Sequence, residues 1–135
     1  MNRIASAIVT PAGANYIQRI ATGGFELSAD EPVSAGGRGL GPGPYNLLLA
    51  SLGACTSITL KMYADRKGWD IGALKVSLTL SRDTDGNAFI ERTLDTDARL
   101  DEEQWLKLLD IASKTPVTKT LLSGARITTR RAEVN

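Results

Sequence analysis

The clearest pattern in the chain lies within residues 73–83, where Leu74, Val76, Leu78 and Leu80 alternate with polar residues. A period of two puts every second side chain on the same face of a strand, so this stretch predicts a strand with one buried face. An Asp-Thr-Asp-Gly turn at residues 83–86 follows it. The looser alternation over residues 89–100 predicts an antiparallel return strand and leaves room for a bulge.

The first third of the chain alternates in shorter runs that are interrupted by turn residues. Apolar residues at 4–9 and alternating segments at 15–20 and 25–32 predict two or three antiparallel strands. The glycine-rich segment 34–44 follows. Its glycine spacing fits neither nucleotide-binding motif and no Lys-Ser or Lys-Thr pair follows it, so we interpret it as a flexible approach to a helix.

From Pro44 the apolar residues recur at three- and four-residue steps, which predicts a helix that ends near Gly68. Very small residues line a second face, and the first charge is that of Lys61. A helix that is apolar on nearly every side must be covered all round, and a second copy of the chain could supply the cover. The residues that recur at these steps form one continuous stripe: Leu47, Leu48, Ser51, Leu52, Cys55, Ile58, Thr59 and Met62.

Asp101 begins a second predicted helix, because Gln104 three residues later completes a capping box. Its predicted buried stripe is Trp105, Leu108, Leu109 and Ala112, and its predicted end lies near Lys114. Thr115 and Pro116 then predict a short helical turn, and residues 125–131 predict a last strand. Without repeats or linkers, residues 1–135 are predicted to form a single domain of the α+β class, with antiparallel sheets.

Composition excludes several classes of function. Lys and Arg number 16 against 15 Asp and Glu, so nothing attracts the chain to nucleic acid or to an anionic membrane. The apolar run at residues 47–60 is shorter than the roughly 20 residues of a membrane span. The chain has no histidine, which removes histidine-based metal sites and the commonest general base.

Cys55 is the only cysteine, so an internal disulfide is impossible and nothing indicates secretion; we expect a cytoplasmic protein. A lone thiol on an apolar helix face is either a small packing group or a nucleophile. It lies about three turns into the predicted helix, beyond most of the influence of the helix dipole. Any activating cation must come from elsewhere in the fold, and the residues alone leave both roles open.

The string GPGPYNLLLASLGACTSITLKMYADRKGW at residues 41–69 closely resembles the central helix of the OsmC/Ohr family, the osmotically inducible and organic-hydroperoxide-resistance proteins. GGFELSADEP at 23–32 and LDEEQWLKLLDIASKTPVTKTL at 100–121 extend the resemblance over nearly the whole chain. The resemblance implies an intertwined homodimer in which sheets from both chains wrap two long central helices. It also implies a thiol peroxidase of the oxidative stress response, an antioxidant oxidoreductase without metal or cofactor, with Cys55 as its catalytic nucleophile.

The chain departs from the family at three places. Thr115 stands where relatives carry the second cysteine, and Tyr45 stands where their peroxidase members carry a glutamate. The activating arginine has no clear equivalent, with Arg19 and Arg38 as candidates. The primary expectation is a hydroperoxide reductase that uses one cysteine and an external thiol reductant. The alternative is a non-enzymatic member that binds a small apolar or electrophilic ligand at the dimer interface, and the third possibility is a stable dimer with a structural Cys55.

Overall fold

The computed structural model describes residues 1–133. It divides the chain into two compact units, Met1–Ala50 and Ser51–Asn135, and the boundary falls inside the long helix. Each unit is described by itself below. The single domain expected from the sequence stays a prediction.

The first unit contains a three-stranded antiparallel meander, as the sequence predicts. Its strands are β1 (Ala7–Pro11), β2 (Gln18–Thr22) and β3 (Phe25–Ala29). The hairpin between β2 and β3 has only two loop residues, Gly23 and Gly24, with φ values of 59° and 81°. These left-handed values favour glycine and are those of a tight hairpin turn, which sets the register of the two strands.

Asp30 organises the glycine-rich segment of the first unit. Its buried carboxylate accepts hydrogen bonds from the backbone N–H groups of Glu31 at 2.7 Å, Arg38 at 3.2 Å and Leu40 at 3.1 Å. Burial raises the pKa of Asp30, but these three bonds and the charge of Arg38 outweigh it and lower the pKa below its usual value. The glycine-rich segment, which the sequence suggested to be flexible, is therefore held in place by the side chain of Asp30.

Helix α1 (Pro44–Lys67) begins at the predicted proline, and Gly68 follows its last residue with a φ of 69°. Its buried residues are spaced four apart: Leu52, Thr56, Leu60 and Ala64. Within the predicted stripe, Leu52 is buried and Leu47, Leu48, Cys55 and Thr59 are partly buried, whereas Ser51, Ile58 and Met62 are exposed. Because α1 is apolar on nearly every side, periodicity could not select the face that the rest of the chain covers.

Among the described helices, α1 alone is long and apolar enough to cross a bilayer by length and composition, with a mean hydropathy of 1.4 over its most apolar window. The core helix of a soluble protein passes the same test.

The second unit contains a hairpin of β4 (Lys75–Arg82) and β5 (Ala88–Asp95) and two further helices, α2 (Glu102–Ala112) and α3 (Pro116–Ser123). The hairpin is antiparallel as predicted, and every residue from β4 has one partner on β5, so the optional bulge is absent from it. The capping box at the start of α2 is confirmed in both directions. The core cluster comprises Leu60, Ala64, Ile71, Leu108 and Ala112.

Two further predictions for this unit are wrong. Leu109, placed in the buried stripe of α2, is 52% exposed, because Leu108 and Ala112 alone of that stripe reach the core. Residues 125–131 form no strand in the described part of the chain and are exposed. A strand needs a hydrogen-bonded neighbour, and these residues pair with neither β4 nor β5. The α+β class with antiparallel sheets is nevertheless confirmed.

Candidate functional site

Cys55 lies near the middle of α1 and is half-buried, with its Sγ 4.0 Å from the hydroxyl of Thr59 one turn further along. The next residue, Thr56, is fully buried and donates its hydroxyl hydrogen to the carbonyl of Leu52 at 2.7 Å. The thiol is therefore at the border between the buried face of α1 and the face that the chain leaves uncovered.

Arg92 is the functional candidate that the sequence analysis missed. Its Nη1 donates to the hydroxyl of Thr56 at 2.8 Å and to that of Thr118 at 2.9 Å, and its Nη2 donates to the carbonyl of Ala112 at 2.7 Å. One guanidinium thus joins α1, the last residue of α2 and the first turn of α3. A signal was present, because the side chains at 90, 92 and 94 share one face of β5, and a charge at an inward position of a strand is unusual.

The electrostatics of this arginine couple it to the cysteine. Burial lowers the pKa of Arg92, and the negative charge of a Cys55 thiolate opposes that shift. Within residues 1–133 the salt bridges join other pairs, so no carboxylate is paired with Arg92. An arginine stays protonated at neutral pH, and this one is a partly buried cation that contacts Thr56, the residue next to Cys55.

Thr115, the position of the missing second cysteine, belongs to the same hydrogen-bond network. It precedes α3, is 1% exposed, and shares a 2.6 Å hydrogen bond with the hydroxyl of Thr118. Because Thr118 also accepts from Arg92, two hydrogen bonds connect Thr115 to the guanidinium. The hydroxyl of Thr118 and the guanidinium of Arg92 therefore connect Thr115 to Thr56, the neighbour of Cys55.

The other residues singled out in the sequence lie in the first unit and are described only there. Arg19 forms a 2.8 Å ion pair with Glu26 on the adjacent strand, and both side chains are largely exposed. Arg38 is held through its backbone by Asp30. Tyr45, at the start of α1, is about half exposed. Their relation to Cys55 stays a prediction.

A cavity of about 280 Å³ opens beside Arg92 within the second unit. Most of its wall is apolar, and its polar residues are Arg92, Ser113 and Thr118, a composition typical of small-molecule sites. Its lining includes Leu52, Ile90, Arg92, Thr118, Leu121 and Leu122. Among residues 1–133, no group of three or more Cys, Asp or Glu residues is arranged to hold a metal ion.

Comparisons with known proteins agree with this fold. The chain resembles an OsmC-like protein from Mycoplasma pneumoniae with a TM-score of 0.71 and 22% identity, over 90% of this chain and 89% of that one. It resembles an organic hydroperoxide resistance protein from Legionella pneumophila with a TM-score of 0.62 and 16% identity, over 89% and 91% of the two chains.

A third structure is closer in sequence. The organic hydroperoxide resistance protein OhrB of Bacillus subtilis is 27% identical, with a TM-score of 0.57 over 85% of this chain and 89% of that one. No curated protein matches the sequence. The family described as OsmC-like protein matches residues 36–130, which is well over half of the chain. The chain therefore belongs to the OsmC-like protein family, the group that includes the organic hydroperoxide resistance proteins.

Proposed function

We propose that this protein is a thiol-dependent organic hydroperoxide reductase that uses Cys55 as its only redox cysteine. The observation that carries the proposal is the guanidinium of Arg92, which has no carboxylate partner among residues 1–133 and donates to the hydroxyl of Thr56, the residue next to Cys55. A nearby cation favours the thiolate, which is the nucleophilic form of cysteine. The names of the Legionella and Bacillus relatives support the same substrate class.

The chemistry balances with an external thiol as reductant. The Cys55 thiolate attacks the terminal oxygen of the hydroperoxide, the O–O bond breaks, and the alkoxide leaves and takes a proton to become an alcohol. Cys55 becomes a sulfenic acid. One external thiol then displaces water from it to form a mixed disulfide, and a second thiol releases Cys55 and departs as an external disulfide.

Thr115 is the reason for assigning the reductant to the outside. A hydroxyl cannot condense with a sulfenic acid into a disulfide, and the chain has no second thiol. Arg92 contributes by stabilising the thiolate before attack and by offsetting the negative charge that develops on the leaving oxygen.

The protein is proposed to act as a cytoplasmic homodimer. On α1, Ile58 and Met62 are exposed large apolar residues that a second copy would cover. The β4–β5 pair is a two-stranded sheet, which has little stability on its own. In a homodimer, a second copy that packs against this sheet would stabilise it.

The test is turnover of cumene hydroperoxide by the purified protein with a small thiol as reductant. We expect steady loss of hydroperoxide in the wild type and none above background in Cys55→Ser. Ser57→Ala, a small change on the same helix, is the matched control and should keep the activity. Equal rates in the wild type and Cys55→Ser would refute the proposal.

The second candidate function is binding of a small ligand without turnover. The cavity beside Arg92 favours it, because that cavity is formed by the second unit alone and needs no thiol chemistry. Thr115 favours it as well, since the residue that would complete an internal disulfide is replaced. Under this function, ligand binding survives Cys55→Ala and the hydroperoxide is not consumed.

A further inference from the structure

We infer that the cavity beside Arg92 is a carboxylate site, which holds a small monocarboxylate with its headgroup on the guanidinium and its apolar body against leucine side chains. The inference goes beyond hydroperoxide reduction, because it requires neither the thiol nor a redox step. It also assigns a chemical class to the ligand of the cavity, which the sequence left as apolar or electrophilic.

The hydrogen-bond donors of Arg92 carry the first part of the argument. A guanidinium has five N–H donors. Two on Nη1 and one on Nη2 are bonded to Thr56, Thr118 and Ala112. The Nε donor and the second Nη2 donor have no acceptor among residues 1–133. Donors of this kind, in a fixed planar group, suit the two oxygens of a carboxylate.

The second observation that supports a carboxylate ligand is the charge of Arg92, which has no counter-ion in the described part of the chain. All three acceptors of Arg92 are neutral oxygens, and no carboxylate of residues 1–133 is paired with it. A partly buried cation without a counter-ion is electrostatically unfavourable, as the lowered pKa of Arg92 also indicates. A bound anion supplies the missing charge whenever Cys55 is in its neutral thiol form. The charge of Arg92 therefore makes the binding of an anionic ligand more favourable than the binding of a neutral ligand of the same shape.

The wall and the size of the cavity limit the ligand. Leu52, Leu121, Leu122 and Ile90 make it largely apolar, which disfavours a compact, strongly hydrated anion such as phosphate. A volume of about 280 Å³ lies just below the range typical of pockets for drug-sized ligands, so the cavity suits a small ligand. A straight-chain carboxylate of about eight to ten heavy atoms, from hexanoate to octanoate, fits both limits.

The experiment measures binding to Cys55→Ser protein in the absence of peroxide, by calorimetry and by methyl NMR. The probes are octanoate, its neutral analogue octanamide, and acetate, which has the headgroup without the chain. We expect octanoate to bind at least about tenfold more tightly than either of the others, since one lacks the charge and the other the apolar body. Contacts from octanoate should appear on the methyl groups of Leu52 and Leu121.

Arginine variants locate the headgroup. Arg92→Met should reduce octanoate affinity at least about tenfold, and Arg92→Lys should retain part of it because the charge remains. Arg99→Met removes an exposed arginine of the same unit and should leave the affinity unchanged. If Arg92→Met does not fold, the comparison of octanoate with octanamide on Cys55→Ser still decides the matter.

Equal affinity for octanoate and octanamide, or octanoate contacts away from the cavity, would overturn the inference. Its failure is distinct from failure of the proposed function, because binding is measured without peroxide on a protein without a thiol. If the wild type reduces hydroperoxide but Cys55→Ser does not bind octanoate, the proposed function stands and the carboxylate site is refuted. If Cys55→Ser binds octanoate but the wild type does not reduce hydroperoxide, the carboxylate site stands and the proposed enzymatic function is refuted.

Discussion

Asp30 and Arg92 are two charged side chains withdrawn from solvent, and they differ in how their hydrogen-bonding groups and charges are satisfied. Asp30 is surrounded by three backbone N–H groups from its own glycine-rich loop and by the charge of Arg38. Arg92 bonds three neutral oxygens, and two of its donors have no acceptor among residues 1–133. A charge satisfied by its own backbone fixes a loop, whereas a charge left partly unsatisfied beside a cavity and a thiol is available for chemistry.

The largest expected effect is that of Arg92→Met. It removes the donor for two hydroxyls and one carbonyl that join three helices, so we expect the free energy of unfolding to fall by about 2–3 kcal/mol. Removal of the cation should also slow alkylation of Cys55 by iodoacetamide at neutral pH. Urea denaturation and alkylation rates measure the two effects.

Arg92→Lys separates those two effects, because lysine keeps the charge but cannot make the same three bonds. We expect it to lose stability while keeping more of the alkylation rate than Arg92→Met does. If Arg92→Met and wild type alkylated at the same rate, Arg92 would be a structural residue like Asp30 and the contrast between them would fail.

Asp30→Asn tests the other member of the comparison. Asparagine retains the shape but not the charge, so we expect lower stability at neutral pH and no change in the alkylation of Cys55. The folded-state pKa of Asp30 is lowered, so its contribution is present above the unfolded value of about 3.9 and is lost as the pH falls through the folded pKa. The difference in melting temperature between wild type and Asp30→Asn should therefore shrink below about pH 4.

Asp85→Asn, an exposed carboxylate in the turn between β4 and β5, is the matched control for this substitution. A stability difference between wild type and Asp30→Asn that stayed constant from pH 7 to pH 3 would show that charge is not what Asp30 contributes.

Thr115→Val has the smallest expected effect. It keeps the volume of the buried side chain but removes the hydroxyl bonded to Thr118, so we expect a loss of about 1 kcal/mol in urea denaturation. Val117→Ala, on a half-buried apolar neighbour outside this network, provides a comparison for packing alone. An unchanged free energy of unfolding in Thr115→Val would mean that the hydrogen bond between Thr118 and Arg92 does not depend on the hydroxyl at position 115.

Local patterns were enough to locate most secondary structure. Proline at 44 and glycine at 68 bound α1, and the capping box of Asp101 and Gln104 bounds the start of α2, because each of these signals acts within one helical turn. The alternation over residues 73–83 gave β4 for the same reason. The OsmC-like family was also readable from the sequence, since its longest motif is an unbroken stretch of α1.

Side-chain placement across elements was not readable in this way. The buried face of α1 is set by whatever packs on it, so the periodicity of a helix that is apolar all round does not show which face the chain itself covers. Residues 125–131 have the alternation of a strand, but a strand forms only where a neighbour offers its backbone.

The sequence by itself determined most of the elements, the fold class and Cys55 as the one thiol. The tertiary structure alone decided that Arg92 contacts Thr56, the residue next to that thiol, because its partners Thr56 and Thr118 are 36 and 26 residues away along the chain. Periodicity records the face on which a side chain lies, and only the folded chain shows which hydroxyls, carbonyls and charges meet it there.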